Sequence, residues 1–219
     1  MRTIFLSAVA IFAALGGAAK AQDFAVGVQA GTSGVGAELQ YSASPGLVLR
    51  GNGDWLSYGH DETYQDVDYS GTLKFATAGA FLDWHPFDSW FLLSAGGYLG
   101  QREISLAAAP KSNVAINNVS YSPSQIGQLN GKVTYSSFQP FAGLGLDSTF
   151  YGDPGLSFNF VLGVAFGGSP SVALASSGGT LSSDPTFQNN LAAERAKIVH
   201  DAANFGYYPV VYLAVTYRL

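Results

Sequence analysis

The chain has 219 residues, 10 basic and 15 acidic side chains, a net charge of −5 and no cysteine. That composition excludes disulfides and thiolate metal sites, and it argues against nucleic acid as a partner, because phosphate binding needs a basic face. Charged residues make up 11% of the sequence, aromatics 14% and glycines number 27, whereas charge alone reaches about 25% in typical soluble domains.

The N-terminus comes first. Met1-Arg2-Thr3 is a short positive start, Ile4 to Leu15 is apolar apart from Ser7, and Ala19-Lys20-Ala21 fits an A-x-A cleavage site. Such a segment is read as a secretory signal peptide over 1–21; its apolar run is shorter than the roughly 20 residues that a membrane-spanning helix needs. The mature domain is then 22–219. Without Arg2 and Lys20 it keeps eight basic residues against 15 acidic ones. No later apolar run approaches a membrane helix. The choice is therefore between a very apolar soluble β-protein and a barrel whose outer face meets lipid, and side-chain alternation decides between them.

Strands alternate with period two. Phe24, Val26, Val28 and Ala30 oppose Ala25, Gly27 and Gln29. Val35, Ala37, Leu39 and Tyr41 oppose Gly36, Glu38, Gln40 and Ser42. Leu47, Leu49 and Trp55 oppose Arg50, Asn52 and Asp54. The clearest case is Leu156 to Gly167, where Leu156, Phe158, Phe160, Leu162, Val164 and Phe166 share one face and Ser157, Asn159, Val161, Gly163, Ala165 and Gly167 the other. A helix with period 3.6 would scatter these residues. The pattern predicts strands at 24–32, 35–43, 46–59, 66–84, 90–106, 132–149, 156–176 and 207–219. Large apolar residues on one face and small or polar ones on the other suit lipid outside and a crowded lumen inside; a soluble lipocalin-type barrel would need a charged outer face instead.

Turns at Ser44-Pro45-Gly46, His85-Pro86-Phe87-Asp88-Ser89 and Tyr151-Gly152-Asp153-Pro154-Gly155 are tight and proline-bearing. They follow even-numbered strands, which puts both termini on the side of the short turns, the periplasmic side of a membrane barrel. Two connections are long, 107–131 and 177–206. The second holds a helix candidate at 186–203, with Asp184 as cap and Pro185 at its start. The expected fold is all-β: an eight-stranded antiparallel up-and-down transmembrane β-barrel with one helix in the last external loop.

The final strand ends Val215-Thr216-Tyr217-Arg218-Leu219, alternating apolar residues with an aromatic, which resembles the assembly signal of bacterial outer-membrane proteins. Leu82-Asp83-Trp84-His85-Pro86-Phe87, Gly168-Ser169-Pro170 and Tyr207-Tyr208-Pro209-Val210-Val211 resemble stretches of a family of small, largely uncharacterised Gram-negative outer-membrane β-barrels. The architecture is also similar, more distantly, to the OmpA membrane domain and OmpW-type barrels. The resemblance implies a place in the bacterial cell outer membrane, contact with its lipid and lipopolysaccharide, and insertion by the barrel-assembly machinery. It implies no activity.

Ionisable lumen candidates are Glu38, Arg50, Asp54, Asp83, Arg102, Asp147 and Arg218. Charge inside a narrow barrel is costly unless paired, and Glu38 and Arg50 lie on adjacent strands, so an ion-pair network of Glu38, Arg50 and Asp54 is expected. It reads either as a plug that fixes register or as a selectivity constriction. His60, with Ser57 or Ser70, is the nearest approach to a lipid-modifying site; His85 and His200 fall in a turn and a loop. Asp61, Glu62, Asp66 and Asp68 form an acidic cluster that lacks the glycine and spacing of an EF-hand loop. The sequence therefore predicts no catalytic residues, no metal and no cofactor. It leaves three functions: a structural or interaction protein with a filled lumen and loops open to an extracellular partner, a narrow channel for small or apolar solutes, and a lipid-modifying enzyme.

Overall fold

The computed structural model describes residues 21–64, 67–202 and 206–219. The expected signal peptide, apart from Ala21, and Asp66 of the acidic cluster lie outside the described residues. After a single 3-10 turn at Ala21–Asp23 come β1 (Phe24–Gly31), β2 (Gly34–Ser44), β3 (Leu47–Tyr64), β4 (Val67–Trp84) and β5 (Phe91–Pro110). There follow β6 (Val114–Ile116), β7 (Val119–Tyr121), α1 (Pro123–Ile126), β8 (Gly127–Thr134) and β9 (Phe138–Asp147). The chain ends with β10 (Leu156–Phe166), β11 (Ser171–Gly178), α2 (Pro185–Ala202) and β12 (Tyr207–Arg218).

Every pairing is antiparallel. β1 through β5 pair in order, β5 pairs β9, β9 pairs β10, β10 pairs β12 and β12 returns to β1, which closes a ring of eight strands. Closure leaves no unpaired edge within the ring. Gln22 and the last strand's end sit with the short turns: Arg218 Nε donates to the Gln22 carbonyl at 3.0 Å and Nη1 to that of Gly152 at 3.3 Å, while His85 N–H donates to the Gly46 carbonyl at 2.8 Å.

The alternation read from the sequence holds in three dimensions. Phe158, Phe160, Leu213 and Val215 are exposed on the outer face, and Asn159 and Thr216 are buried inside. Val26, Val28, Leu82, Leu144 and Leu162 extend the apolar outer surface. Trp84, Trp90 and Tyr217 lie toward the end of the short turns, and Trp55, Phe166 and Tyr207 toward the other.

Three differences from the expected elements lie at the end of the ring away from the short turns. β3 and β5 run for 18 and 20 residues, past their predicted ends at 59 and 106, while β4 matches its predicted span within one residue; the far ends of all three pass beyond the ring. The predicted strands 132–149 and 156–176 each break in two, at Tyr135–Ser137 and at Gly167–Pro170, where Gly168 takes a φ of +64°. Below the breaks, β9 and β10 belong to the ring; above them, β8 pairs the projecting end of β5, and β11 pairs β8. The predicted loop 107–131 is mostly structured, because Asn117 and Asn118, both at positive φ, close a two-residue hairpin between β6 and β7.

These pieces form an external lobe with its own core. Ile116, Tyr121, Ile126, Phe187 and Leu191 are buried together, with Val114, Leu129, Leu174 and Leu181 packed against them. α2 begins at Pro185 as expected, and Asp184 caps it by accepting the Phe187 N–H at 2.9 Å. Phe187 and Leu191, four apart on one face, enter the core, with the Phe187 ring edge-on to Tyr121 at 4.9 Å.

Candidate functional site

The inside of the ring is the candidate site. Along β3, Arg50, Asn52 and Asp54 point inward in turn from the short-turn end, as the period-two pattern requires. Arg50 is opposite Phe81 on β4, which brings Asp83, two residues along the same face, to its guanidinium. Arg50 Nε donates to Asp83 at 2.6 Å and Nη2 at 3.1 Å, while Nη2 also reaches Ser94 Oγ at 3.0 Å. Ser94, paired with Asp83 across the β4–β5 ladder, donates to the same carboxylate. Both partners of this ion pair are fully buried.

Glu38, Arg50 and Asp54 all line the lumen, but Arg50 takes Asp83, not Glu38 or Asp54, as its direct partner. Glu38 instead accepts from Gln40 Nε2 at 2.8 Å and from Asn159 Nδ2 at 3.4 Å. Asp54 accepts from Gln29 and, at 3.2 Å, from Asn52. Asp83 and Ser94 carried a sequence signal: they share the inward parity of Arg50 on the next two strands. Their pairing depends on register, which a single strand does not disclose.

Aromatic rings fill the space beside this network. Phe81, Tyr98 and Phe141 meet edge to face, with centroids 5.0, 5.3 and 5.7 Å apart. Arg50 lies over Phe81 at 4.3 Å and Tyr212 at 5.4 Å. Glycine makes the room. A Cβ at Gly163 would come within 2.4 Å of Phe141, and one at Gly79 within 2.4 Å of Phe81. Toward the other end, Arg102 sits among Tyr208, Tyr98 and Phe75 at 4.5, 4.9 and 5.9 Å. Chemically, the lumen holds one buried ion pair, carboxylates bonded by amide groups and a second arginine, all set among interlocked rings.

The remaining candidates are dispersed. His60 is exposed on the projecting part of β3, stacked on Tyr58 at 6.4 Å, with no hydrogen bond to Ser57 or Ser70. His85 is buried in its turn, with Nδ1 2.9 Å from the Ser89 carbonyl oxygen, and His200 lies on α2. Asp61 and Glu62 are exposed. Asp68 accepts from Lys111 and Thr63, each at 2.7 Å, and these two bonds hold its carboxyl below the usual carboxylate range. Among the described residues no group of three or more His, Asp or Glu is placed to hold a metal ion, and no helix is long and apolar enough to cross a membrane.

These features define a closed, eight-stranded antiparallel barrel with an apolar outer face, a filled polar lumen and a structured lobe at one mouth. Two solved structures share this fold: CarO2 of Acinetobacter baumannii (TM-score 0.63, 19% identity, covering 90% of this chain and 98% of that one) and CarO of the same organism (TM-score 0.61, 19% identity, 89% and 97%). A major outer membrane protein from Thermus thermophilus overlaps more loosely, at TM-score 0.40 and 13% identity over 90% of this chain and 99% of that one. No protein-family model matches the sequence, and no curated protein does.

Proposed function

We propose that the chain is an integral protein of the bacterial cell outer membrane with a structural or interaction role, its lumen closed by side chains and its lobe turned to the outside. The membrane reading rests on the outer face of the ring: Phe158, Phe160, Leu213 and Val215 meet solvent there while charged and amide groups fill the interior. Water on both sides would disfavour that arrangement, and hydrocarbon outside favours it. The short-turn end, with Gln22 and the last strand's end, then faces the periplasm. Outer-membrane lipid and lipopolysaccharide surround the belt, the barrel-assembly machinery inserts it, and the lobe is the surface offered to an extracellular partner.

A single observation carries the closed-lumen reading. The Arg50–Asp83–Ser94 network and the Phe81–Tyr98–Phe141 triad occupy the same cross-section, and an eight-stranded interior is only wide enough to be filled by side chains. This role calls on no cofactor and no catalysis. Reconstitution into planar bilayers tests it. The protein is expected to insert, to shift on an unheated gel and to show no steady conductance, whereas a folded Phe81→Ala/Phe141→Ala variant is expected to conduct. A steady wild-type conductance would replace this reading with the narrow channel.

A further inference from the structure

The two buried arginines of the barrel differ in one respect that points to a ligand. Arg50 and Arg102 are each 1% exposed. Arg50 has an ion-pair partner and a hydroxyl, with Nη1 alone left unpartnered. Arg102 has one long bond, from Nη2 to Ser33 Oγ at 3.4 Å, and its Nε and Nη1 are buried with no hydrogen-bond partner. Among the described residues it takes part in no ion pair. Asp54, one same-face row nearer the short turns, has its two oxygens engaged by Gln29 and Asn52. Asp54 is thus a neighbouring charge and not a bonded one, and a buried guanidinium with no anion bonded to it is an unfavourable arrangement. Each open donor shares an edge of the planar fork with Nη2, whose bond to Ser33 is long, so either edge offers a parallel pair of N–H groups to the two oxygens of a carboxylate.

We infer that Arg102 is the anion-recognising residue of a binding site at the outer mouth of the barrel, for small organic carboxylates with an aromatic or apolar body. The surroundings define the body. Phe75, Tyr98 and Tyr208 collar the guanidinium, and Leu73 and Ile104 form the next same-face row outward, both only half-buried. One step further Leu106 is 47% exposed. A ligand therefore meets apolar side chains first and the charge last. Excluding water around the guanidinium strengthens its attraction for the carboxylate.

Tyr208 supplies the way in. It alone of the three collar rings is not buried, and its hydroxyl donates to the Thr32 carbonyl in the turn between β1 and β2. Swinging that ring off Arg102 breaks one surface hydrogen bond and the ring's contacts with Arg102 and Phe75, contacts that a bound aromatic carboxylate would replace, and it leaves the Arg50 network in place. The site is thus occupied from outside and does not depend on whether the lumen conducts.

The test uses the full mature barrel refolded in micelles with 15N-labelled arginine, titrated with benzoate, acetate, benzamide and benzylammonium. Benzoate is expected to move the Arg102 Nε–H resonance, assigned with Arg102→Lys, saturably in the millimolar range while leaving that of Arg50 in place. Acetate and benzamide should bind about tenfold more weakly or worse, because each lacks one half of the recognition, and benzylammonium should not bind. In Arg102→Gln that still shifts on an unheated gel, benzoate affinity should fall at least about tenfold. An Arg102 resonance unmoved by saturating benzoate, or undiminished affinity in folded Arg102→Gln, overturns the proposal; if that variant does not fold, the wild-type titration decides alone.

Discussion

The barrel interior and the external lobe are two solutions to filling space in one chain. The interior is built from Arg50, Asp83, Glu38 and Asn159 among aromatic rings. The lobe is built from Ile116, Tyr121, Ile126, Phe187 and Leu191, the ordinary apolar core of a water-facing domain. The difference follows from what lies outside each. The ring turns most of its large apolar residues outward, so its narrow centre mixes aromatic and small apolar side chains with polar groups that must satisfy one another. The lobe has water around it and gathers its apolar side chains inside. The lobe core is drawn from β6, β7, β8, β11 and the two helices and not from the ring strands, so the two regions should fail independently.

The heaviest loss is expected in the barrel. Asp83→Ala leaves Arg50 buried without its counter-charge, a change worth about 3–5 kcal/mol; urea titration of the vesicle-inserted protein should show that loss, with the lobe's resistance to protease unchanged. Phe187→Ala should cost about 3 kcal/mol confined to the lobe. Limited proteolysis should then cut within residues 111–126 or 179–200 while the gel shift of the barrel persists; a barrel that melts in step with the lobe would make the two a single cooperative unit.

Gly163→Ala sets a Cβ 2.4 Å from Phe141 and 2.6 Å from the Ala142 carbonyl oxygen. The expected loss is about 1–3 kcal/mol, read by urea titration, and Phe141→Leu in the same chain should recover part of it. Weakest of all is a pH dependence of the lobe. Glu194 accepts the Asn117 backbone N–H at 3.0 Å and an ammonium N–H of Lys197 at 3.2 Å, and these bonds hold its carboxyl below the ordinary range, the backbone one foremost. A carboxyl lowered in the folded state stabilises above its unfolded pKa and loses that contribution as pH falls through the folded one. Hydrogen exchange at the Asn117 amide should therefore accelerate, relative to barrel amides, as pH drops below the carboxylate range. Glu194→Gln should flatten that response.

Much of the ring was legible because its information is local. Phe158 through Phe166 announce their face by alternation alone, and Pro45, Pro86 and Pro154 mark the tight turns. The helix start was equally legible, since Asp184 and Pro185 act within one turn of each other. The lobe was not. Val114–Ile116 and Val119–Tyr121 are each too short to alternate visibly, and the Asn117-Asn118 pair between them is a turn signal that reads only once short strands are suspected. Of the candidate site, the inward residues were legible and their partners were not: Glu38 and Asp83 both lie diagonal to Arg50 on flanking strands, and the ladder geometry, with Gln40 and Asn159 engaging Glu38, selects Asp83.

The order of residues was enough to set which face of each strand is greasy, where the tight turns fall and that the chain is all-β, because side-chain period and turn chemistry are properties of a few consecutive residues. It took the assembled fold to give β5 two neighbours, β9 in the ring and β8 in the lobe. The same assembly matched Arg50 with a carboxylate and left Arg102 without one, because register, closure and the meeting of distant segments are set by all the strands together.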